Sequence, residues 1–200
     1  MITLDLAHPE DPSYKKIVQF AQEQYLKQIS AHVHPSADLF AYAKAETDIV
    51  GCMGLYCAPS KEKLLIETYV PGIFSRLTDQ REIQRESCAE IGTYVRTKVK
   101  GVLSRNIAIA LTARLLIAAH EKGVMHICFI TSPDARFVVQ NLGLNLREFG
   151  MPDLEGKEED FLHNWQHFLS RTNTCFGFTI TTLDGCRDAL RDLRLQKVIS

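Results

Sequence analysis

The stretch Thr93-Tyr94-Val95-Arg96-Thr97-Lys98-Val99-Lys100-Gly101-Val102-Leu103-Ser104-Arg105-Asn106-Ile107-Ala108-Ile109-Ala110 changes its period midway, and that change decides the fold. In its first half the cations alternate with β-branched residues, the period of two expected of a strand running from Ser87 to about Val99. Its second half opens the longest helical repeat in the chain, residues 104–122, with Ala108, Leu111, Leu115 and Ala119 on one apolar face and Gly123 past the end. A strand therefore feeds a long amphipathic helix. If the strand persists, Arg96, Lys98 and Lys100 share one side and form a basic strip that Arg105 extends. The helix start that follows offers free amide donors and a partial positive charge, which together can hold a phosphate.

On the N-terminal side, Asp11-Pro12-Ser13 signals the start of a helix over 11–30, with Ile17, Phe20, Ala21 and Tyr25 at spacings of three and four. Residues 38–45 and 49–57 read as a hairpin across Glu46-Thr47-Asp48, with Gly51 and Gly54 marking a bulge or a close backbone approach. The apolar run 64–70, closed by Pro71-Gly72, reads as a third strand, and 73–86 as loop with some helix. On the C-terminal side, 124–131 is a buried strand and Ser132-Pro133-Asp134 opens a short helix. An extended piece follows Leu142-Gly143-Leu144. Residues 151–160 are acidic loop, 161–170 read as helix, 175–181 as strand and the segment from Asp184 as helix. Hairpin strands first and strand-helix-strand units later predict a single α/β domain over 1–200, an α+β mixed sheet with helices on its faces.

A chain of 200 residues with 46% hydrophobic and 24% charged residues can bury a substantial core unaided by metals or disulfides. The net charge is −1, so no field of the whole molecule draws it to nucleic acid or to a membrane surface. The start Met1-Ile2-Thr3-Leu4-Asp5 lacks the pattern of a secretion signal, which implies a cytoplasmic protein without stable membrane association. Six scattered cysteines, none in a C-x-x-C pair, read as buried reduced thiols. His32 and His34, and His163 and His167, have ligand spacing but no third ligand beside them in sequence, so no metal is assigned.

The helix entrance resembles that of the GNAT acyltransferase superfamily, in which Gln/Arg-x-x-Gly-x-Gly/Ala cradles the pyrophosphate of acyl-coenzyme A. Here the stretch is Arg105-Asn106-Ile107-Ala108-Ile109-Ala110, with alanine at the central glycine position. A longer resemblance runs over residues 15–180, to the thermostable hemolysin family, a GNAT relative similar to acyl-homoserine-lactone synthases. It rests on the joint order of Gln24-Tyr25, Leu65-Ile66-Glu67-Thr68-Tyr69, Ala89-Glu90-Ile91-Gly92, Ala110-Leu111-Thr112, Cys128-Phe129-Ile130-Thr131, Asn141-Leu142-Gly143-Leu144, Trp165 and Phe168. Thr93 stands where asparagine would be expected.

The resemblance implies a GNAT-like fold, a central, mostly antiparallel twisted sheet with helices on both faces. It also implies direct transfer of an acyl group, from an acyl-coenzyme A or the phosphopantetheine of an acyl carrier protein, to an amine of a small molecule. Such a reaction needs a base for the amine and a proton for the leaving thiolate. Glu90, in an otherwise apolar Cys-Ala-Glu-Ile-Gly setting, is the candidate base, and Glu67 is a second carboxylate able to orient the amine or pair with Arg96. Tyr94 and Tyr69 are candidate proton donors, although a strand tyrosine is commonly a core residue. Arg96, Lys98 and residues 105–110 would meet the donor's phosphates or an acidic carrier protein, and Thr131 and Ser132 the pantetheine amide or the substrate, unless they serve only as helix caps. A homodimer is left open. Two other functions stand beside this one: a catalytically silent GNAT scaffold that binds a ligand or a partner protein, supported by Ala108, and a membrane-active hemolysin, as the family's name suggests.

Overall fold

A computed structural model describes residues 1–77, 83–131, 133–155 and 174–200. The described residues form seven strands and six α-helices. The expected helix at 161–170, most of the acidic loop, Ser132, His163, Trp165, His167 and Phe168 lie outside the described residues. The strands are β1 Ile2–Ala7, β2 Leu39–Ala45, β3 Asp48–Cys57, β4 Cys88–Arg96, β5 His126–Thr131, β6 Arg147–Gly150 and β7 Thr174–Thr179. The helices are α1 Tyr14–Ile29, α2 Leu65–Tyr69, α3 Ile73–Leu77, α4 Ser104–Glu121, α5 Pro133–Asn141 and α6 Asp184–Leu195.

The strands form one mixed sheet in the order β1-β2-β3-β4-β5-β7-β6. Every pairing is antiparallel except that of β4 with β5, which is parallel. Helices cover both faces, as the sequence predicts. One face buries Leu39, Leu55, Phe129 and Phe178 with Leu111 and Leu115 of α4 and Leu190 of α6. The other carries two smaller cores, one joining Ile17 and Ala21 of α1 to Phe40 and Cys52, the other joining Ile66 of α2 and Ile73 of α3 to Cys88, Cys128 and Cys175.

Two expectations are corrected. Residues 64–70 hold a short helix, α2, where a strand was expected. A short apolar run has no period of its own, and two carboxylates settle the matter: Glu67 accepts the Leu64 N–H at 2.8 Å and Glu90 accepts the Ile66 N–H at 3.0 Å. The helix α4 is not amphipathic. It is buried almost all round, with Ile107, Ala110, Leu111, Ala113, Leu115 and Leu116 at most 1% exposed, because α5 and α6 pack against it in addition to the sheet. Gly51 admits it closely, since a Cβ there would meet Ile107 Cγ2 at 3.1 Å.

The strand β1 escaped the sequence reading, although Ile2, Leu4 and Leu6 alternate with polar residues in a period of two. It pairs along β2 from Ile2↔Ala45 to Ala7↔Phe40, and Ile2 also bridges to Ile199, which ties the two ends of the chain together. The helix α1, the β2–β3 hairpin, the span of α4 and its end at Gly123 (φ 82°) follow the sequence closely.

Candidate active site

The strands β4 and β5 pair over only three residues, Cys88↔His126, Ala89↔Ile127 and Glu90↔Cys128, and then part. Beyond that point β4 runs on to Arg96 and β5 to Thr131 without pairing. The gap opens into a cavity of about 970 Å³. Met53, Phe129, Val139 and Phe178, which belong to the core beneath α4, line the same space as Leu64 and Tyr69, which belong to the core beneath α2. The cavity therefore reaches both faces of the sheet through the parting of its strands. A site of this size, largely apolar with a few convergent polar groups, has the usual character of a small-molecule site.

Glu90 sits at the vertex of the parting and lines the cavity, with 6% of its surface exposed. It is one of two buried polar side chains among the described residues. Burial raises its carboxyl from the usual 4.5 to about 7, opposed by the N–H groups of Ile66 and Leu65 and supported by the nearby charge of Glu67. No cation pairs with it among the described residues. A carboxyl tuned near neutrality can accept and return a proton at ordinary pH.

Glu67 is placed otherwise. Its carboxylate receives Arg85 Nη1 at 2.7 Å as well as the Leu64 N–H, and it lies off the large cavity, on the wall of a smaller neighbouring one. The expected pairing with Arg96 does not form. Arg85 also donates to the carbonyls of Lys61 and Glu62, so this ion pair fastens the segment before α2.

Gly51 and Gly54 mark irregular backbone in β3 as expected, and the β3–β4 ladder breaks beside Gly54 with its extra residue on β4, at Thr93 and Tyr94, which the sequence reading did not place. Cys52 pairs with Val95 and Gly54 with Gly92, so Met53 alone opposes both Thr93 and Tyr94. This is a β-bulge, and Thr93 adopts φ 50° within it. A left-handed β-branched residue is a marked outlier that marks a special site. Thr93 and Tyr94 have no partner residues of their own on β3, and β5 has already parted on the other side. Both line the cavity, and burial raises the Tyr94 hydroxyl above the usual phenol range against the opposing pull of Arg96.

The basic strip is only partly assembled. The strand stops at Arg96, so its period of two does not carry to Lys98 and Lys100, and neither lines the cavity. Arg96 does line it, and donates to Ser104 Oγ at 2.6 Å, joining the end of β4 to the start of α4. Of residues 105–110, Arg105 and Ala108 reach the cavity. Ile107 and Ala110 face the core, and the Asn106 N–H bonds the Leu103 carbonyl at 2.9 Å. All six residues lie inside α4, where amides beyond the first turn are already spent on the helix. The free donors of α4 itself belong to its first residues, and the Ala108 methyl sits a turn deeper. Thr131 lines the parting of the strands, as do Tyr69 and Tyr56 farther in.

His32 and His34 also line the cavity, and Gln22 holds His34 at 3.0 Å. Among the described residues no three His, Cys, Asp or Glu side chains converge as a metal site. The six cysteines are free thiols, five of them buried, and burial raises the Cys88 and Cys186 thiols to about 11. They have the character of inert core groups.

Comparison with known proteins fits this architecture. The model of the thermostable hemolysin family matches residues 7–173. No curated protein matches the chain. Among solved structures, the acyl-homoserine-lactone synthase LasI superposes with a TM-score of 0.64 at 10% identity, over 96% of this chain and 95% of its own. The CoA-dependent acyl-homoserine lactone synthase BjaI, solved with SAM and isopentyl-CoA, gives 0.63 at 13%, over 100% and 90%. FeeM, an N-acyl amino acid synthase from uncultured soil microbes, gives 0.57 at 13%, over 94% and 98%. The fold is that of these GNAT-like synthases.

Proposed function

The chain belongs to the thermostable hemolysin family, and we propose from its parted strands that it is an N-acyltransferase, moving an acyl group from a coenzyme A or carrier-protein thioester to the amine of a small molecule. The observation that carries this reading is the separation of β4 from β5 just beyond a buried, uncompensated Glu90, opening a passage from one face of the sheet to the other. Two substrates can meet there from opposite sides. The fold shared with LasI, BjaI and FeeM adds support.

In this mechanism the donor's phosphates rest against Arg96, Arg105 and the start of α4, and its pantetheine lies between β4 and Thr131. The acyl chain enters the apolar arm formed by Met53, Ala108, Phe129, Val139 and Phe178, an arm suited to chains longer than acetyl. The amine attacks the thioester carbonyl directly as Glu90 takes its proton. Bulge amides at Thr93 and Tyr94 stabilise the oxyanion, the C–S bond breaks, and Tyr94 protonates the departing thiolate. The acceptor occupies the arm beside Glu90, whose rim carries Lys61 and Lys63. These lysines follow the end of β3 at Cys57, about 20 Å along the strand from Gly51, which pairs with Arg96. The donor's phosphates and a negatively charged group on the acceptor would thus be held at separate mouths.

Equilibrium binding of coenzyme A, followed by thiol release from acetyl- and octanoyl-coenzyme A on adding a panel of amines and amino acids, tests the proposal. Binding with amine-dependent release, faster for octanoyl, is expected. Binding without release from either donor would favour a silent scaffold, and absence of binding with turnover only on an acylated carrier protein would assign the donor to that protein. The silent reading has lost its main support, because Ala108 lies inside α4 and not among free amides. No helix among the described residues is long and apolar enough to cross a membrane.

A further inference from the structure

Two glycines, a tyrosine and a threonine converge where β3 and β4 lose register. Gly54 pairs with Gly92, and a Cβ on either would stand 3.2 Å from Tyr56 Cε2. The ring of Tyr56 therefore lies across both glycines, in space that any side chain there would contest. Its hydroxyl is hydrogen-bonded to Thr93 Oγ1, the side chain of the left-handed bulge residue. Tyr56, Gly92 and Thr93 all line the cavity beside Glu90. Threonine is a poor choice for this backbone conformation, which asparagine and glycine accept readily. A hydroxyl contact that repays the strain gives a reason for its presence.

We infer that the Tyr56–Thr93 hydrogen bond is a latch that holds the β4 bulge in shape beside the thioester, making both residues positioning residues for the acyl transfer proposed above, on which the inference rests. Neither exchanges a proton with substrate. Their work is to fix the peptide groups of Thr93 and Tyr94 where the oxyanion develops, and catalysis by fixed dipoles is sensitive to small displacements.

The test combines amide hydrogen exchange on the free chain with kinetics. Tyr56→Phe and Thr93→Val each remove the bond with little change of shape. In both, exchange over residues 91–96 should rise by roughly tenfold while the rest of the sheet stays protected. Turnover should fall by about 10- to 100-fold with acyl-coenzyme A affinity held within about twofold, and the double variant should be no worse than either single one. Thr93→Ser should recover most of both properties. Thr93→Gly, which accepts the left-handed backbone without the hydroxyl, should keep or raise the melting temperature yet turn over as slowly as Thr93→Val.

Unchanged exchange in Tyr56→Phe, or losses that add in the double variant, would overturn the latch. Losses confined to donor affinity would overturn the positioning role. The exchange is read without substrate, so a parent chain that binds no donor and transfers nothing would sink the acyltransferase reading and the positioning role, while exchange alone still decides whether the latch exists.

Discussion

Glu90 and Glu67 both hold amides at the start of α2, and one difference separates them. Glu67 has Arg85 at 2.7 Å, and Glu90 has no cation among the described residues. The paired carboxylate is satisfied and points away from the large cavity, whereas the unpaired one is buried on its wall with its proton affinity raised toward neutrality. Identical side chains on neighbouring elements thus divide into a fastener and a candidate base. Environment assigns the role, as it does wherever two acids must behave differently at one pH.

The sharpest way to break this contrast is to remove each charge in turn. Glu90→Gln keeps an acceptor for the Ile66 N–H but takes no proton, so turnover should fall by roughly 10²–10⁴-fold with donor affinity retained. Amine-dependent thiol release and coenzyme A binding on the same preparation measure both, and an unchanged rate would remove Glu90 from the role of base.

A smaller effect appears in stability against pH. Glu90 has a folded value of about 7 against an ordinary 4.5, so the folded state holds its proton more tightly. Its contribution is complete below pH 4.5 and lost as the pH rises through 7. The loss is on the order of 3 kcal/mol. Melting temperatures of the parent should therefore fall relative to Glu90→Gln across that window, and parallel curves would contradict the raised affinity. Over the same range the parent's turnover should climb with deprotonation.

Arg85→Ala should destabilise by about 1–2 kcal/mol, a charge-assisted bond discounted for the exposure of the guanidinium. Chemical denaturation measures it. The pH profile of turnover should keep its midpoint, and a displaced midpoint would mean that Arg85 governs Glu90 as well. The smallest expected effect is at the donor mouth. Arg96→Glu should weaken coenzyme A binding by about three- to tenfold at low salt and flatten its salt dependence. Salt-independent binding in the parent would remove the electrostatic part of the account.

What could be read in the sequence follows the range of the forces involved. The helices α1 and α4 and the β2–β3 hairpin repeat over many residues and show in the pattern. Glu90 is visible because a carboxylate inside Cys88-Ala89-Glu90-Ile91-Gly92 contradicts its neighbours. The helix α2 is hidden, since its amides are held by Glu90 from a strand far along the chain. Arg85 claims Glu67 across 18 residues of sequence, which no local spacing announces. The bulge at Thr93 is half legible: Gly54 signals it on β3, but which β4 residue takes the extra place depends on the register between the two strands. The basic strip is only partly formed because the alternation of Arg96, Lys98 and Lys100 outlasts the strand itself, and the stretch 105–110, singled out by the GNAT resemblance, lies inside α4.

The central claim is that the parted strands admit a thioester whose carbonyl meets the bulge and whose acyl chain fills the apolar arm. A crystal structure with a non-hydrolysable ketone analogue of octanoyl-coenzyme A, in which a methylene group separates the carbonyl from sulfur, tests it directly. The analogue's carbonyl should lie against Thr93 and Tyr94, its pantetheine along Thr131 and its alkyl tail between Phe129, Val139 and Phe178, with Glu90 facing the carbonyl from the far side of the sheet. A gap closed by side chains, with the analogue bound elsewhere or not at all, would contradict the account.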